Sequence, residues 1–392
     1  MDNKGSYATI LITDAVMMKS TIVWSKIHWA NGFQVTCYWG SWSIYRPDYG
    51  RFTTDNLDPK LCTTIVYAFA GLDLDLEITS LDPKADITEG GYSKVIALKE
   101  ENPCLKVILA VGGSNEKSRK YSVMAHTVEG RTAFANSVLK FLAYYGFDGV
   151  DLDWEYPTLR GGIKDDYNNF PLVLQTLKQT LEPWGYVVSI AVSMSESIIR
   201  DTYDIQDIAR SVDYVYLMAY DHVSASSPKT DLSAPMSEFT KAVNLWLENG
   251  LPADKLFLGI PFYGRSFILE DPTKNGIGAP VTGPGDPGAF SGEHGFLAYY
   301  EILGELMVGE YETKEEDGTI YSYNEDLWIT YDNEASVKNK THWAIAKGLK
   351  GVMIWSMEND DFGGQFGNRY PLLNAMNSAI KESKLYRKRN TN

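Results

Sequence analysis

The strongest constraint on the fold is a series of short apolar segments that recur along the chain after residue 32. They are rich in β-branched and aromatic residues, and most lack the alternation of a strand with one face in water. Helical periodicity marks the stretches between them, such as GRTAFANSVLKFLAYYG and NNFPLVLQTLKQTLEPWG. Eight strands that alternate with helices predict a (β/α)₈ barrel of the α/β class. The eight segments are FQVTCY, TTIVYAFA, LKVILAVGG, FDGVDLDW, YVVSIAVS, VDYVYLMAY, KLFLGIPF and KGVMIWSM.

The spacing of these segments predicts an insertion between strands 7 and 8 of the barrel. Successive segments start roughly 25 to 45 residues apart, but the last two start about 95 apart, where one βα unit needs about 30. The intervening sequence contains NGIGAPVTGPGDPGAF and alternating runs such as GTIYSYN, which indicate a small α+β subdomain over residues 267–335. The barrel is assigned to residues 33–266 and 336–380. A poorly defined segment, 1–32, precedes it, and a basic tail, 381–392, follows it.

Charge and composition disfavour several classes of function. The net charge of −15 opposes binding to nucleic acid or to an anionic membrane, and no run of 18 uncharged apolar residues predicts a membrane-spanning helix. The five histidines show no zinc-like spacing with cysteine, and no Gly-rich phosphate loop occurs, so we expect neither a metal ion nor a cofactor. The 10 tryptophans and 25 tyrosines exceed what a core usually needs and suggest a substrate that stacks on rings.

The cysteines and the N-terminus leave the cellular compartment open. Cys37, Cys62 and Cys104 allow one disulfide with one thiol left over, and composition does not decide whether it forms. The run YATILITDAVMM is interrupted by Asp14 and is not followed by a clear small-residue cleavage site, so it does not predict a signal peptide.

The fourth segment continues as GFDGVDLDWEYP and carries four carboxylates in an otherwise apolar strand. Because side chains alternate along a strand, Asp151, Asp153 and Glu155 share one face, and the apolar residues between them share the other. Glu155 lies at the C-terminal end, where barrel enzymes assemble their active sites. The pattern therefore predicts a line of three acids at the mouth of the barrel.

Crowded acids of this kind suit acid catalysis. Successive carboxyl groups lie about 6.6 Å apart along the strand, and their negative charges repel each other, so at least one of the three acids should keep its proton. That proton could be donated to the leaving oxygen of a glycoside. Two alternatives are acids paired with basic residues of neighbouring strands and a site for Mg²⁺ or Ca²⁺. The cost of burying acids in an apolar strand favours the catalytic interpretation.

The sequence DGVDLDWEYP matches the D-x-x-D-x-D-x-E signature of glycoside hydrolase family 18, and the chain resembles the insect- and mammal-type chitinases of that family. The resemblance covers roughly residues 33–380 and includes KVILAVGGS, LMAYD, GIPFYGRSF and GVMIWSMENDDFGG in the family's order. It implies the same barrel with an α+β insertion before the last strand. It also implies an endochitinase that hydrolyses β-1,4 bonds between N-acetylglucosamine units of chitin or chitooligosaccharides.

The resemblance implies a retaining, substrate-assisted mechanism, in which the nucleophile is the acetamide of the substrate itself. Glu155 would protonate the glycosidic oxygen and later activate water. Asp153 would hold the acetamide N–H and share a proton with Asp151, and Tyr220 would hydrogen-bond the acetamide carbonyl. Asp148 has the opposite strand parity and is expected to be structural support.

The resemblance also implies the substrate-binding residues. Trp355 would form the hydrophobic floor under the sugar, aromatic residues would line the non-reducing side, and polar residues would contact the sugars near the cut. The predicted substrate-binding residues are Tyr38, Trp42, Phe69, Met218, Asp221, Tyr263, Arg265, Met353 and Trp355.

Two departures from the family pattern predict weaker sugar binding on the leaving-group side of the cleft. Ser114 follows Gly112 and Gly113 where many relatives read GGW. The stretch HVSASS follows Asp221 where relatives carry a tryptophan. Both missing rings belong to the leaving-group side in the family.

The resemblance further implies a disulfide between Cys37 and Cys62, which leaves Cys104 free. One disulfide and the glycosylation sequon Asn339-Lys340-Thr341 are both compatible with secretion. The chain is also expected to be a monomer.

Two other functions remain open at this point. Relatives with the same barrel but a replaced catalytic acid are chitin-binding lectins or growth-factor-like proteins, and the presence of Glu155 argues for the enzyme. Endo-β-N-acetylglucosaminidases that act on glycoprotein glycans share the acid motif. The insertion and the FYGRSF segment favour a chitinase.

Overall fold

Eight parallel strands form the closed barrel that the sequence predicts. In this computed structural model, which describes residues 32–390 and side chains to residue 384, the first barrel strand pairs with both the second and the last, so the sheet closes. Each predicted segment contributes one strand. The barrel strands are β1 Gln34–Gly40, β2 Thr64–Leu72, β4 Lys106–Gly112, β5 Gly149–Asp153, β6 Val187–Ser193, β7 Tyr214–Met218, β8 Leu256–Pro261 and β15 Gly351–Trp355; β3, Ile78–Ser80, pairs antiparallel with β2.

The helices between the strands bury one face each. In the helix Val128–Tyr145, Phe134, Val138 and Leu142 recur at helical spacing and are all buried. Its ends are also set by the sequence. The Thr127 side chain accepts a hydrogen bond from the amide of Gly130, and the helix stops at Gly146, whose φ of 86° suits glycine. The helices are α1 Gly91–Glu101, α2 Arg119–His126, α3 Val128–Tyr145, α4 Asp166–Leu181, α5 Glu196–Thr202, α6 Ile205–Ser211, α7 Met236–Glu248, α8 Tyr299–Val308, α9 Glu334–Ala346 and α10 Pro371–Asn390.

The insertion before the last barrel strand is a second, antiparallel sheet with one helix, α8. The strands are β9 Tyr263–Leu269, β10 Val281–Pro284, β11 Phe296–Ala298, β12 Glu312–Glu316, β13 Thr319–Asn324 and β14 Leu327–Tyr331. Their order in the sheet is β10-β9-β14-β13-β12, and β11 pairs with β9. β9 starts directly after β8 and before the predicted boundary at residue 267.

A buried ion pair ties this sheet to the barrel. Lys340 on α9 donates to both carboxylate oxygens of Asp332, which follows β14, at 2.7 Å each. The same ammonium donates to the carbonyl of Ala234, before α7, and to the hydroxyl of Thr319 on β13. Since Lys340 and Asp332 are 1% and 0% exposed, this cluster fixes the second sheet against the barrel with water excluded.

A disulfide joins Cys37 on β1 to Cys62, just before β2. It closes a loop with a sequence separation of 25, for which the chain-entropy model gives a stabilisation of about 3.5 kcal/mol. Cys104 is a free, exposed thiol. The described part of the chain therefore has the disulfide that the family resemblance implies.

The predictions for the two termini have different outcomes. All but the last residue of the N-terminal segment 1–32 lies outside the described residues. The predicted start of the tail at residue 381 lies within α10, which runs from Pro371 to Asn390. Leu372, Met376 and Ala379 recur at helical spacing and are buried, so an apolar face anchors the first part of this helix.

None of the helices in the described part of the chain combines the length and the apolar character needed to cross a membrane. The sequon residue Asn339 lies on α9 and is exposed, whereas Lys340 and Thr341 beside it are buried.

Candidate active site

The acid-rich strand β5 carries its carboxylates into the barrel. Asp151 and Asp153 are buried inside it. Trp154, which has the opposite parity, packs outside the barrel against the rings of Tyr121 on α2 and Phe170 on α4. Alternation along one strand therefore separates an acidic interior from an apolar outer layer.

Asp151 is fully buried and accepts a hydrogen bond at each of its two carboxylate oxygens. Its Oδ2 accepts a hydrogen bond from the hydroxyl of Tyr38 at 2.5 Å, and its Oδ1 accepts one from Ser189 Oγ at 2.7 Å. Burial raises the pKa of Asp151 to about 6, although both hydrogen bonds lower it. Each oxygen has a donor from a different barrel strand, so the carboxyl is fixed in orientation.

Asp153 lies between the other two acids and is the least satisfied of the three. Its Oδ1 is buried and has no hydrogen-bond partner among the described residues. Burial raises the pKa of Asp153 well above its usual range, and the neighbouring charges of Glu155 and Asp151 raise it further. The surroundings of this carboxyl therefore favour its protonated form, and its Oδ1 is available for a ligand.

Glu155 lies two residues beyond Asp153, just past the end of β5. Burial raises the pKa of its carboxyl, and the guanidinium of Arg160 lowers it. The Arg160 Nη1 lies 3.4 Å from Glu155 Oε2. The Glu155 side chain is 14% exposed, so it can reach a ligand in the cleft. A carboxyl with a raised pKa in this position can act as a general acid.

The neighbouring loop approaches the acids so closely that only glycine fits. The amide of Gly113 donates to the carbonyl of Asp153 at 2.8 Å. A Cβ on Gly112 would lie 2.1 Å from that carbonyl oxygen, and φ is 121° there. A Cβ on Gly113 would lie 2.7 Å from the ring of Phe69. The two glycines therefore let β4 pack against the acid strand and against an aromatic wall.

Four aromatic side chains form that wall. Phe69 stacks on Trp355 with ring centroids 5.7 Å apart and an angle of 28° between the rings, and on Trp42 at 5.9 Å and 13°. Tyr38 packs against Trp355 at 5.5 Å. Trp42 is 43% exposed. The wall presents ring faces on which the apolar side of a sugar can stack.

Polar groups complete the site at the end of β7 and the start of β9. Asp221 accepts hydrogen bonds from Tyr263 and Arg265, and the two Arg265 contacts, from Nε and Nη2, are 2.8 Å each. This paired geometry fixes the Asp221 carboxylate. The Tyr220 hydroxyl is buried and makes only a weak contact, 3.9 Å to the sulfur of Met353. It can therefore donate to a ligand.

These groups line one cleft of about 1100 Å³ at the mouth of the barrel. The cleft includes every predicted catalytic and substrate-binding residue except Asp151, which lies beneath its floor. The predicted residues in the lining are Tyr38, Trp42, Phe69, Asp153, Glu155, Met218, Tyr220, Asp221, Tyr263, Arg265, Met353 and Trp355.

Asp148 lies outside the cleft lining. Its carboxylate accepts hydrogen bonds from Lys99, Lys106 and the amide of Val107. It therefore links α1, β4 and the loop before β5.

The sequence analysis missed a second polar cluster at the rim of the cleft. Arg46 donates to the carbonyl of Glu358 and to Asn359 Oδ1, at 2.9 Å each, and to the hydroxyl of Tyr300 at 3.2 Å. The Glu358 carboxylate accepts a hydrogen bond from Ser356 beside Trp355. These residues come from the loops after β1 and β15 and from α8, so no local motif joins them. The sequence signal available was position after a barrel strand.

The described residues contain no group of three or more histidine, cysteine, aspartate or glutamate side chains that could coordinate a metal ion. The three acids of the barrel mouth do not converge on a single point in this way.

Comparisons with known proteins find one family and similar structures. The family model described as Glycosyl hydrolases family 18 matches residues 34–360. Chitotriosidase-1 of Mus musculus is 35% identical over 375 residues, which span 90% of this chain and 79% of that protein. The Ostrinia furnacalis Group IV chitinase, solved in complex with allosamidin, matches with a TM-score of 0.87 and 36% identity over 89% of this chain and 99% of that one. Human YKL-39, described as a pseudo-chitinase with retained chitooligosaccharide binding properties, matches with a TM-score of 0.83 and 29% identity over 89% of this chain and all of that one.

Proposed function

Because the chain belongs to glycosyl hydrolase family 18, we propose that its barrel-mouth cleft hydrolyses β-1,4 bonds between N-acetylglucosamine units of chitin or chitooligosaccharides, with retention of configuration. The observation that carries this proposal is the buried Oδ1 of Asp153, which has no hydrogen-bond partner among residues 32–384. Asp153 lies between Asp151, which is fixed by two hydrogen bonds, and Glu155, which reaches the cleft. An acetamide N–H would satisfy that oxygen.

In the first step, Glu155 gives its proton to the glycosidic oxygen, the bond from C1 to that oxygen breaks, and the leaving sugar departs as an alcohol. The acetamide carbonyl oxygen of the substrate forms a bond to C1 as the old bond breaks. The product is a cyclic oxazolinium ion, whose N–H faces Asp153. The positive charge of that ion matches a site with three carboxyls.

In the second step, water attacks C1 from the side that the leaving sugar vacated. Glu155, now a carboxylate, takes a proton from the water as the bond from C1 to the acetamide oxygen breaks. The oxygen released from C1 becomes the acetamide carbonyl oxygen again. The proton taken from water leaves Glu155 in its original protonated form. Tyr220 donates to the acetamide carbonyl and orients it for both steps. Because each of the two attacks inverts the configuration at C1, the product has the same configuration as the substrate.

Trp355 is expected to supply much of the sugar-binding energy. Replacing it with alanine removes a ring face that stacks on the sugar, worth about 1.5–3 kcal/mol of apolar burial. The dissociation constant for a chitooligosaccharide should therefore rise roughly ten- to hundredfold. Titration calorimetry with the soluble tetramer measures this change.

Trp184→Ala is the matched control for that substitution, because Trp184 is 66% exposed and lies outside the cleft lining. It should leave the dissociation constant unchanged. Equal affinity of the Trp355→Ala variant and the wild type would show that Trp355 is a packing residue rather than part of the binding surface.

Release of a fluorogenic leaving group from a chitotetraose glycoside tests the proposed function directly. We expect turnover by the wild-type protein. Oligosaccharide binding without turnover would instead support a lectin of the pseudo-chitinase type. The presence of Glu155, Asp153, Asp151 and Tyr220 in the described geometry favours the enzyme.

The disulfide supports a secreted protein, because disulfides persist in oxidising compartments. Titration of the native protein should find one free thiol rather than three.

We also expect a monomer, since the acids, the aromatic wall and the polar groups described above all come from one chain.

A further inference from the structure

A cation lies beside the candidate general acid, in the loop that follows it. The guanidinium of Arg160 donates from Nη1 to Glu155 Oε2 at 3.4 Å. Its Nη2 donates to the carbonyl of Ser114 at 2.6 Å and to Ser114 Oγ at 3.1 Å. One side chain therefore joins the acid at the end of β5 to the loop at the end of β4.

The loop that carries Arg160 is held by hydrogen bonds from Ser118 and by one within the loop. The amide of Ser118 donates to the carbonyl of Arg160 at 3.3 Å, and its Oγ donates to the carbonyl of Tyr156 at 2.8 Å. The amide of Gly162 donates to the carbonyl of Leu159 at 2.9 Å. Arg160 has a φ of 53°, in the left-handed region that a non-glycine residue seldom adopts. The surrounding bonds hold it there, which directs the guanidinium towards Glu155.

We propose that Arg160 is a positioning residue that holds the Glu155 carboxyl against the Ser114 loop and keeps a cation beside it. The inference deepens the proposed hydrolysis and rests on it for the kinetic part of its test. Glu155 itself is the catalytic residue, and Arg160 acts through it.

The charges around Glu155 give the sign of the effect. Burial and the carboxylate of Asp221 raise the pKa of Glu155, and Arg160 and a hydrogen bond from Tyr156 lower it. Arg160 is the cation in this set, so it favours the ionised form of the acid. The titratable and charged groups that face Glu155 are Asp153 on β5, Tyr156 and Arg160 in the loop after it, Tyr203 after α5, and Tyr220 and Asp221 after β7.

A general acid is active while it is protonated, and activity falls as the pH rises through its pKa. Removal of Arg160 raises the pKa of Glu155, so the alkaline limb of kcat/KM moves to higher pH. An opposite charge within about 4–6 Å shifts a carboxyl by one to three pH units, and the Arg160 side chain is 34% exposed, which screens it. We therefore expect a shift of about one pH unit.

The experiment compares the pH profiles of kcat/KM on fluorogenic chitotetraose for wild type, Arg160→Gln, Arg160→Lys and Arg119→Gln. Arg119 is an exposed cation close to the same loop, near Gly161, so its replacement removes the same charge without touching the acid. The Gln variant at 160 should shift the alkaline limb upwards by about one pH unit. The Lys variant should fall between it and wild type, and Arg119→Gln should match wild type.

A profile of Arg160→Gln that coincides with wild type would overturn the inference, as would an equal shift in Arg119→Gln. If Arg160→Gln does not fold, Arg160→Met, which also removes the charge, decides, and an unshifted limb in that variant overturns the inference. If wild type shows no turnover, the proposed function fails, but the inference is still decided. In that case the pKa of Glu155 is measured by carbon-13 NMR titration of the glutamate carboxyls, with the Glu155 signal assigned from its loss in Glu155→Gln. A higher pKa in Arg160→Gln supports the inference, and an unchanged pKa overturns it.

Discussion

Replacement of Glu155 by glutamine should lower kcat on chitotetraose about a thousandfold while oligosaccharide binding persists. The amide keeps the size of the side chain but cannot donate a proton to the leaving oxygen, and general acid catalysis contributes typically 10²–10⁴-fold. The leaving group is a sugar alcohol that cannot depart readily as an anion. Single-turnover kinetics measures the loss, and calorimetry measures binding by the same variant.

Glu100→Gln is a matched control, because it makes the same chemical change at an exposed position on α1, outside the cleft. It should leave kcat unchanged. A Glu155→Gln variant that keeps even a tenth of the wild-type kcat would place the general acid elsewhere. Loss of binding with no intrinsic loss of kcat would point to a role in substrate affinity instead.

Replacement of Lys340 by methionine should lower the free energy of unfolding by about 3–5 kcal/mol. The substitution removes the ammonium that pairs with both oxygens of the buried Asp332 and leaves that carboxylate without a counterion in an apolar environment. Burial lowers the pKa of Lys340 and Asp332 raises it, so the two charges depend on each other. The effect should appear as a lower denaturation midpoint.

Two further variants control that prediction. Lys338→Met removes an exposed ion pair with Glu382 from the same helix, and should cost no more than about 1 kcal/mol. The double variant Lys340→Met with Asp332→Leu removes both charges and should recover part of the loss. Loss of less than about 1 kcal/mol in Lys340→Met would mean that the second sheet is held by other contacts.

The barrel and its acids could be predicted from the sequence because their signals are local. Continuous apolar segments, their spacing and strand parity placed Asp151, Asp153 and Glu155 on one face of β5 without any knowledge of their partners. The insertion was recognised from a gap in the spacing. Its sheet order was not, since pairing of β9 with β14 depends on contacts far apart in the chain.

The partners of the acids were the part that sequence could not supply. The hydroxyl of Tyr38 and Oγ of Ser189 reach Asp151 from two other barrel strands. The contact of Arg160 with Glu155 spans five residues but depends on an unusual loop conformation that no motif specifies. The residue types of the site can be read from the chain, but which of them are in contact depends on how the barrel closes.

The C-terminal segment shows the same limit. The basic composition of KLYRKRNTN indicates a frayed tail, whereas the helix α10 continues to Asn390. Composition describes what a segment can tolerate in water. It does not show where the apolar residues that precede it will anchor a helix.

The anomeric form of the first product tests the central claim most directly, because the nucleophile in this account belongs to the substrate. Proton NMR during the first turnovers of chitotetraose should show the β-anomer, before mutarotation produces the α form. The α-anomer as the first product would mean a single inverting attack by water, and it would contradict the role of Asp153 in orienting an acetamide.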